Sequence, residues 1–397
     1  MLKEKFGSAA SLGPVMCACG KRMRSVGPRA KRLRTILGEI VFERPVFVCP
    51  ACGARRSLAD EMLGVEGRGF SPGLCRLMAR AGQRDTFKEG RDDLRVFAEI
   101  AVTAKDVERV AEGAGEEVEA WQERERAQIE AGEKTVQSEE APILYVCYDG
   151  TGVPMVPWET EGRKGKQPDG SSRTREAKLG CVFTQTTVSE KGYPVRDEAS
   201  TTFVGAIESS GAFGQRIYHE ALRRGLNAAQ KTVVLADGAK YNWEIAALHF
   251  PRATEIVDLF HARGHLSQLC ALLIPDDTQE KNILKERWEK MLDEGRLQSI
   301  LTQACELMPR NGKRRNFILK ELAYFQNNAS RMRYDDFRAQ GLFVGSGVVE
   351  AGCKTVVGKR LKQSGMEWTV RGANAIIALR CCHLSGRTEE FWEQVAA

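Results

Sequence analysis

Two aspartates in this chain each follow an apolar run and precede a glycine. Asp149 ends Ile143-Leu-Tyr-Val-Cys-Tyr-Asp149-Gly, and Asp237 ends Thr232-Val-Val-Leu-Ala-Asp237-Gly. A third carboxylate, Glu350, lies early in an expected helix that opens after Gly345-Ser346-Gly347. The first two read as strand ends with a carboxylate at the tip, the third as a carboxylate on a helix packed beside them. Three such groups at one point repel strongly unless divalent cations lie between them. An all-oxygen site suits two hard cations, Mg²⁺ or Mn²⁺. One ion would activate water or a nucleic-acid 3′-hydroxyl and the other would stabilise the leaving oxygen of an in-line displacement, which points to phosphoryl transfer. Asp-Gly after an apolar run is also an ordinary turn. Either motif alone reads as that turn; two of them with a suitably placed Glu read as a site. Glu367 competes as third carboxylate, but it follows an expected helix end at Gly365 and ranks below Glu350.

These carboxylates need a sheet to gather them. Strands are expected at Ile143–Tyr148, Leu179–Val188 and Ser200–Val204, then a helix at Ala212–Arg224. Strand Thr232–Ala236, a helix at Tyr241–Leu248 and strand Thr254–Val257 follow. The order β-β-β-α-β-α-β is that of an RNase H-like α/β fold, in which strands one and four are neighbours, so Asp149 and Asp237 would meet. Gly150 and Gly238 would let the backbone turn sharply beside a nucleic-acid strand. Residues 275–341 read as a helical insertion, with helices at Glu280–Leu292, Arg296–Leu307 and Arg314–Asn328. The catalytic domain is therefore expected at 141–274 and 342–387.

Residues 1–60 carry Cys17-Ala-Cys19-Gly and Cys49-Pro-Ala-Cys52-Gly around a hairpin-like stretch, Arg34–Val48. This is the layout of a zinc ribbon, with four thiolates around one Zn²⁺. The first knuckle is irregular: a regular one would place Cys where Met16 stands. The alternative is a ribbon that has lost its metal. Residues 61–140 read as helical, with helices at Arg91–Ala101 and Thr103–Ala114 and Thr103 as N-cap. They suit a helix-turn-helix, although the second helix is acidic, or equally a linker or dimerising element. Glu116–Glu140 reads as a solvated helix ending in a linker.

The net charge of +6 is uneven. Residues 1–60 hold 12 Lys/Arg against 4 Asp/Glu, residues 89–140 hold 7 against 16, and residues 353–387 hold 7 against 1. The basic blocks suit a polyanion, although any one charge run reads first as solvated surface. No run of eighteen apolar residues is present, so no membrane span is expected. Met1-Leu-Lys-Glu-Lys leads into no apolar segment, so no secretory signal is expected. The later members of the 12 cysteines are scattered in apolar runs, as in a reducing cytosol.

The segment Gly345-Ser-Gly-Val-Val-Glu350-Ala-Gly-Cys-Lys-Thr-Val-Val-Gly-Lys-Arg-Leu-Lys-Gln-Ser-Gly365-Met-Glu-Trp368 resembles the C-terminal signature of ISKra-type bacterial insertion-sequence transposases. Tyr148-Asp149-Gly-Thr-Gly-Val-Pro154, Ala236-Asp237-Gly-Ala and Asp258-Leu-Phe-His261 resemble it too, and the likeness spans residues 13–385. These are DDE enzymes, loosely related to Mutator-like transposases. The resemblance implies Asp149, Asp237 and Glu350 as a metal-binding triad. It also implies double-stranded DNA, both transposon ends and target, as the partner of a homodimer or larger assembly in the bacterial cytoplasm at the nucleoid. The irregular first knuckle departs from the pattern.

Around the triad, His261 could orient a scissile phosphate or a carboxylate with Asp258 behind it; otherwise Asp258 simply caps a helix. Lys354, four residues after Glu350, could steady it or touch a phosphate. Lys359, Arg360 and Lys362 suit backbone contacts. Gly352 and Gly358 suggest close approach of DNA or sheet. Trp368 is either a stacking residue for an extruded base or a core or rim aromatic. The basic loop from Arg163 through Lys164 and Lys166 to Arg175 is either a DNA contact or a solvated loop. The expected activity is strand cleavage at element ends and strand transfer. The alternatives are an RNase H-like nuclease or resolvase without strand transfer, or a transposase-derived DNA-binding protein.

Overall fold

Alternating apolar and polar residues fold the N-terminal module into an antiparallel hairpin, β1 (Arg24–Thr35) and β2 (Gly38–Val48), with β3 (Arg55–Arg56) on its edge. The computed structural model describes residues 14–134, 141–165, 167–275 and 278–396. Lys166, the end of the expected linker at 135–140 and the N-terminal residues 1–13 lie outside the described residues. The chain forms two units: residues 1–121 with 386–397, and residues 122–385.

In the first unit the hairpin is followed by α1 (Leu58–Met62), α2 (Pro72–Arg84), α3 (Phe87–Ala98) and α4 (Ala104–Glu130). Leu74, Met78, Leu94, Ile100 and Val107 make the core between the helices. Thr103 caps α4 as expected. Its Oγ1 accepts from Asp106 N at 3.1 Å while Asp106 Oδ2 accepts from Thr103 N at 3.1 Å. The helix runs sixteen residues beyond the expected end at Ala114. Val118 and Trp121 are buried in it, so the acidic stretch is not solvated all round. Trp121 packs against Phe391 of the C-terminal helix Thr388–Ala396, and the Arg387 guanidinium lies 4.2 Å from its ring centre.

The second unit is built on a five-stranded mixed sheet. Its strands are β4 (Ile143–Pro154), β5 (Thr174–Gln185), β8 (Thr202–Ala206), β9 (Lys231–Ala236) and β10 (Thr254–Val257), in the order β10-β9-β4-β5-β8. A small hairpin, β6 (Thr187–Val188) and β7 (Pro194–Val195), lies between β5 and β8. β9 is parallel to both β4 and β10, whereas β5 is antiparallel to β4 and β8. Leu144–Tyr148 are all buried, as suits a central strand covered on both faces. The helices are α5 (Ser210–Arg223), α6 (Lys240–His249), α7 (Leu259–Leu273), α8 (Thr278–Asp293), α9 (Leu297–Leu307), α10 (Lys313–Asn327) and α11 (Tyr334–Ala339). Then come α12 (Gly347–Gly352), a π-helical turn Cys353–Gly358, α13 (Lys359–Leu361) and α14 (Val370–Leu384).

Two expectations change. Strand β4 does not end at Asp149: it continues to Pro154, paired with β5 down to Pro154↔Thr174. Gly150 therefore makes no sharp turn. It allows close approach instead, because a Cβ there would collide with the Glu176 side chain on β5. The helices of the expected insertion lie in the same unit as the sheet. Leu284, Trp288, Ile300, Ile318, Leu322 and Phe325 share one hydrophobic core with the sheet.

Candidate active site

Asp149 and Asp237 lie side by side through strand register. Tyr148 pairs with Ala236 in the parallel β4–β9 ladder, so the next residue of each chain segment carries its carboxylate at the same place. β9 ends there, while β4 continues along β5. Asp149 is half-buried, beside the place where β9 stops. Glu350 arrives on α12, which packs over β4 and β5. The packing is close because residue 352 is glycine: a Cβ there would meet the Phe203 ring at 2.7 Å. Gly358 has no such constraint, with only Cys353 O at 3.5 Å.

Each carboxylate is held by donors from its own neighbourhood. Asp149 Oδ1 accepts from Gly150 N at 2.7 Å. Asp237 Oδ1 accepts from Ala239 N at 2.9 Å and from Asn242 Nδ2 at 2.5 Å. Asn242 is almost fully buried, and its carbonyl accepts from Tyr148 Oη at 2.7 Å, which ties α6 to the strand that carries Asp149. Burial raises the Asp149 carboxyl above the ordinary range, and Asp237 and Glu350 raise it further. The Gly150 amide and His261 act against them. Asp149 thus lies in the field of two other carboxylates, and repulsion of that kind is what a divalent cation relieves.

Asp258 follows β10 and is completely buried. Its Oδ1 accepts from His261 N at 2.7 Å and lies 3.1 Å from His261 Nδ1. Its Oδ2 accepts from Ser346 N, the residue that opens the helix of Glu350. One carboxylate thus caps α7, contacts the His261 ring and positions the start of α12, so the capping reading holds. The hydrogen bond to Asp258 pushes His261 up to about 9 against the effect of burial, with help from the charges of Asp258, Asp149 and Asp237. Ligand atoms of Asp258, His261 and Glu350 lie within 4.8 Å of one another. Asp149 and Asp237 do not join that tight group.

The residues expected to contact DNA separate into two sets. Lys354, Lys359 and Lys362 are exposed, and Lys362 Nζ donates to Thr151 Oγ1 on β4. Lys354 makes no ion pair with Glu350 among the described residues. Arg163 and Lys164 are exposed on the far tip of the long β4–β5 hairpin, where Lys164 bridges to Ser171. Arg360 and Trp368 are withdrawn from the surface. The guanidinium carbon lies 4.9 Å from the indole centre, and Trp368 Nε1 donates to Leu361 O at 3.1 Å. Burial removes Arg360 from the backbone-contact role expected of it and agrees with the core reading of Trp368. Glu367 is exposed and lies beside the same hairpin tip.

Sequence reasoning missed Asn242, Tyr324, His265 and Ser346. A buried-side Asn one turn into the helix after Asp237 was the available signal for the first. The others act through tertiary packing, for which local sequence carries no mark.

In the first unit the four cysteines converge. Cys17 Sγ lies 3.5 Å from Cys52 Sγ, and Cys19 Sγ lies 3.5 Å from Cys49 Sγ. All four sulfurs are within 4.8 Å of one another. Zn–S bonds of about 2.3 Å in a tetrahedron require sulfurs about 3.8 Å apart, so the set fits a structural zinc ion. The irregular spacing of the first knuckle is absorbed locally. Cys19 and Cys52 each precede a glycine of positive φ, Gly20 at 80° and Gly53 at 73°. Each receives a backbone N–H two residues on, from Lys21 and from Ala54. The amides of Cys52 and Ala51 bring Cys49 down to about 6. Among the described residues no helix is long and apolar enough to cross a membrane.

No family model matches the chain. No curated protein matches it either.

Proposed function

We propose that this chain is a DNA transposase of the DDE type with an RNase H-like catalytic domain, akin to the ISKra-type insertion-sequence enzymes. It would cleave DNA at element ends and transfer the freed 3′-hydroxyl to target DNA. The observation that carries the reading is the register of β4 against β9, which brings Asp149 and Asp237 together, with Glu350 close enough to raise the Asp149 carboxyl. The strand order of the mixed sheet, with the first and fourth strands adjacent at its centre, supports the fold.

Mg²⁺ or Mn²⁺ bound by Asp149, Asp237 and Glu350 would supply nucleophile activation and leaving-group stabilisation. The chain's own part is to hold these oxygens apart at fixed positions: Asn242 and the Ala239 amide fix Asp237, and Asp258 fixes the start of the Glu350 helix. His261, a cation at neutral pH, can donate to a scissile phosphate beside them. Exposed Lys359 and Lys362 suit DNA backbone, as do Arg24, Arg29, Arg32 and Arg34 on the solvent side of β1. A zinc-held ribbon provides the additional surface that end recognition requires. Val96 and Phe97, exposed on α3, support a homodimer or larger assembly.

Substitution of Asp149 or Asp237 by Asn, or of Glu350 by Gln, should abolish cleavage of end-bearing DNA while leaving DNA binding intact. Full cleavage by any of the three would overturn the site. A strand-transfer assay with pre-cleaved ends separates a transposase from a nuclease that only hydrolyses.

A further inference from the structure

Five of the six tryptophans are buried, and the sixth, Trp158, is 68% exposed. It stands in a single 3₁₀ turn, Pro157–Glu159, at the outer end of the β4–β5 hairpin. The turn is held by the main chain around it. Val156 N donates to Trp368 O at 3.0 Å, Glu159 N to Val156 O at 3.0 Å, and Arg163 N to Thr160 O at 3.0 Å. The Glu159 carboxylate faces inward, where it accepts from Val370 N at 3.0 Å and pairs with Arg175 at 3.5 Å. The backbone that carries the indole is therefore fixed, and it presents the ring to solvent. Trp158, Arg163, Ser172, Arg173, Glu161 and Glu367 border a shallow hollow there, and Lys164 is exposed beside Arg163.

We infer that Trp158 is a stacking platform for an unpaired DNA base, flanked by Arg163, Lys164 and Arg173 for the adjoining phosphates. The inference rests on the DNA reading above. Every base offers a π-face, so an exposed indole on a fixed turn binds bases with little regard to sequence. Cations beside it neutralise the flanking backbone. Glu161 and Glu367 in the hollow disfavour a phosphate or an acidic peptide seated on the ring itself, whereas base amino groups can donate to them. The five residue steps from Asp149 to Pro154 extend roughly 17 Å along the strand. DNA running along the hairpin would thus reach the indole about five or more nucleotide steps from the carboxylates, at roughly 3.4 Å per step.

The test uses the full chain with two labelled probes, a blunt duplex and the same duplex with an unpaired five-thymine tail. Binding is read by polarisation, and stacking by quenching of tryptophan emission. For the wild type we expect stronger quenching and tighter binding with the tailed probe. Trp158→Phe should lose the quench, and Trp158→Ala should lose about fivefold or more in affinity for the tail with blunt-duplex binding unchanged. Persistence of the quench in Trp158→Phe, or of the tail preference in Trp158→Ala, overturns the inference and leaves the transposase reading intact. A change in sedimentation of Trp158→Ala without any effect on DNA overturns it in favour of a second copy of the chain. Failure of the wild type to bind either probe overturns the DNA reading together with it.

Discussion

The ring of Tyr324, carried by α10, fills the space beside Gly238 that a side chain there would need. Residue 238 is therefore glycine for a steric reason that lies nearly ninety positions away. His265 of α7 stacks on Tyr324 with ring centres 3.7 Å apart, and Glu321 Oε2 lies 2.7 Å from its Nδ1. Asp237 is thus braced from the helices that follow the sheet. Gly238→Ala should destabilise the fold and sharply lower cleavage. In a double-mutant cycle with Tyr324→Ala, measured by denaturant unfolding, the two substitutions should couple by about 0.5–3 kcal/mol. Simple additivity would show that the brace does not exist.

Asp258 joins two helices by accepting from His261 N and Ser346 N. Asp258→Ala should cost about 1–3 kcal/mol of stability by leaving buried donors unpaired. Asp258→Asn should recover part of that. Unfolding midpoints equal to wild type for the alanine variant would contradict the arrangement.

His261 gives a pH signature. Its pKa is raised to about 9 in the fold, first by the hydrogen bond to Asp258, against about 6.5 when unfolded. A raised folded value means that the stabilisation is complete below the unfolded pKa and is lost as pH rises through the folded one. Thermal stability in the presence of chelator should fall between about pH 6.5 and 9. His261→Asn should lose that component of the fall, and a profile identical to wild type would refute the linkage.

The four cysteines should bind one zinc ion per chain, detectable by elemental analysis. Cys52→Ser should reduce the zinc content and expose Val15, Met23 and Phe47, which form the small core beside the thiols. Because so few apolar residues back the ribbon, chelation should render residues 14–56 sensitive to protease. Unchanged resistance after complete metal removal would argue for a metal-free module.

The basic residues after Glu350 should divide by exposure. Lys359→Ala and Lys362→Ala should each lower the salt dependence of DNA binding by a slope of about 1. Arg360→Ala should instead lower stability by about 2 kcal/mol, through loss of its contact with Trp368. A reduced salt slope with normal stability for Arg360→Ala would reverse this assignment.

Much of the second unit was legible because its strands are apolar runs bounded by turn residues. Strand Thr254–Val257 forms at its expected ends, and the helices near 280–328 shift by only one or two residues. The length of the β4–β5 hairpin was not legible. Gly150, Thr151 and Gly152 look like a turn, and only pairing with Lys178, Ala177 and Glu176 makes them a strand. The position of Asp149 was readable from the apolar run before it, whereas the support from Asn242, Tyr324 and Ser346 depends on contacts across 5, 86 and 88 positions. Burial of Arg360 was hidden for a similar reason: its shelter is Trp368, which reaches it through a bend in the chain.

The π-helical turn Cys353–Gly358 adds one residue to what would otherwise be a regular helix from Gly347 to Leu361. In a helix of 3.6 residues per turn, that addition rotates everything downstream by about 100°. It swings Arg360 inward onto the indole and brings Lys362 over Thr151. Trimming a single amino acid between Cys353 and Gly358 would give a straighter, better-bonded rod and a poorer protein: Glu350 would keep its place while the cationic end beyond it faced the wrong way. The irregularity works as a swivel set once during folding, and a protein engineer should leave it alone.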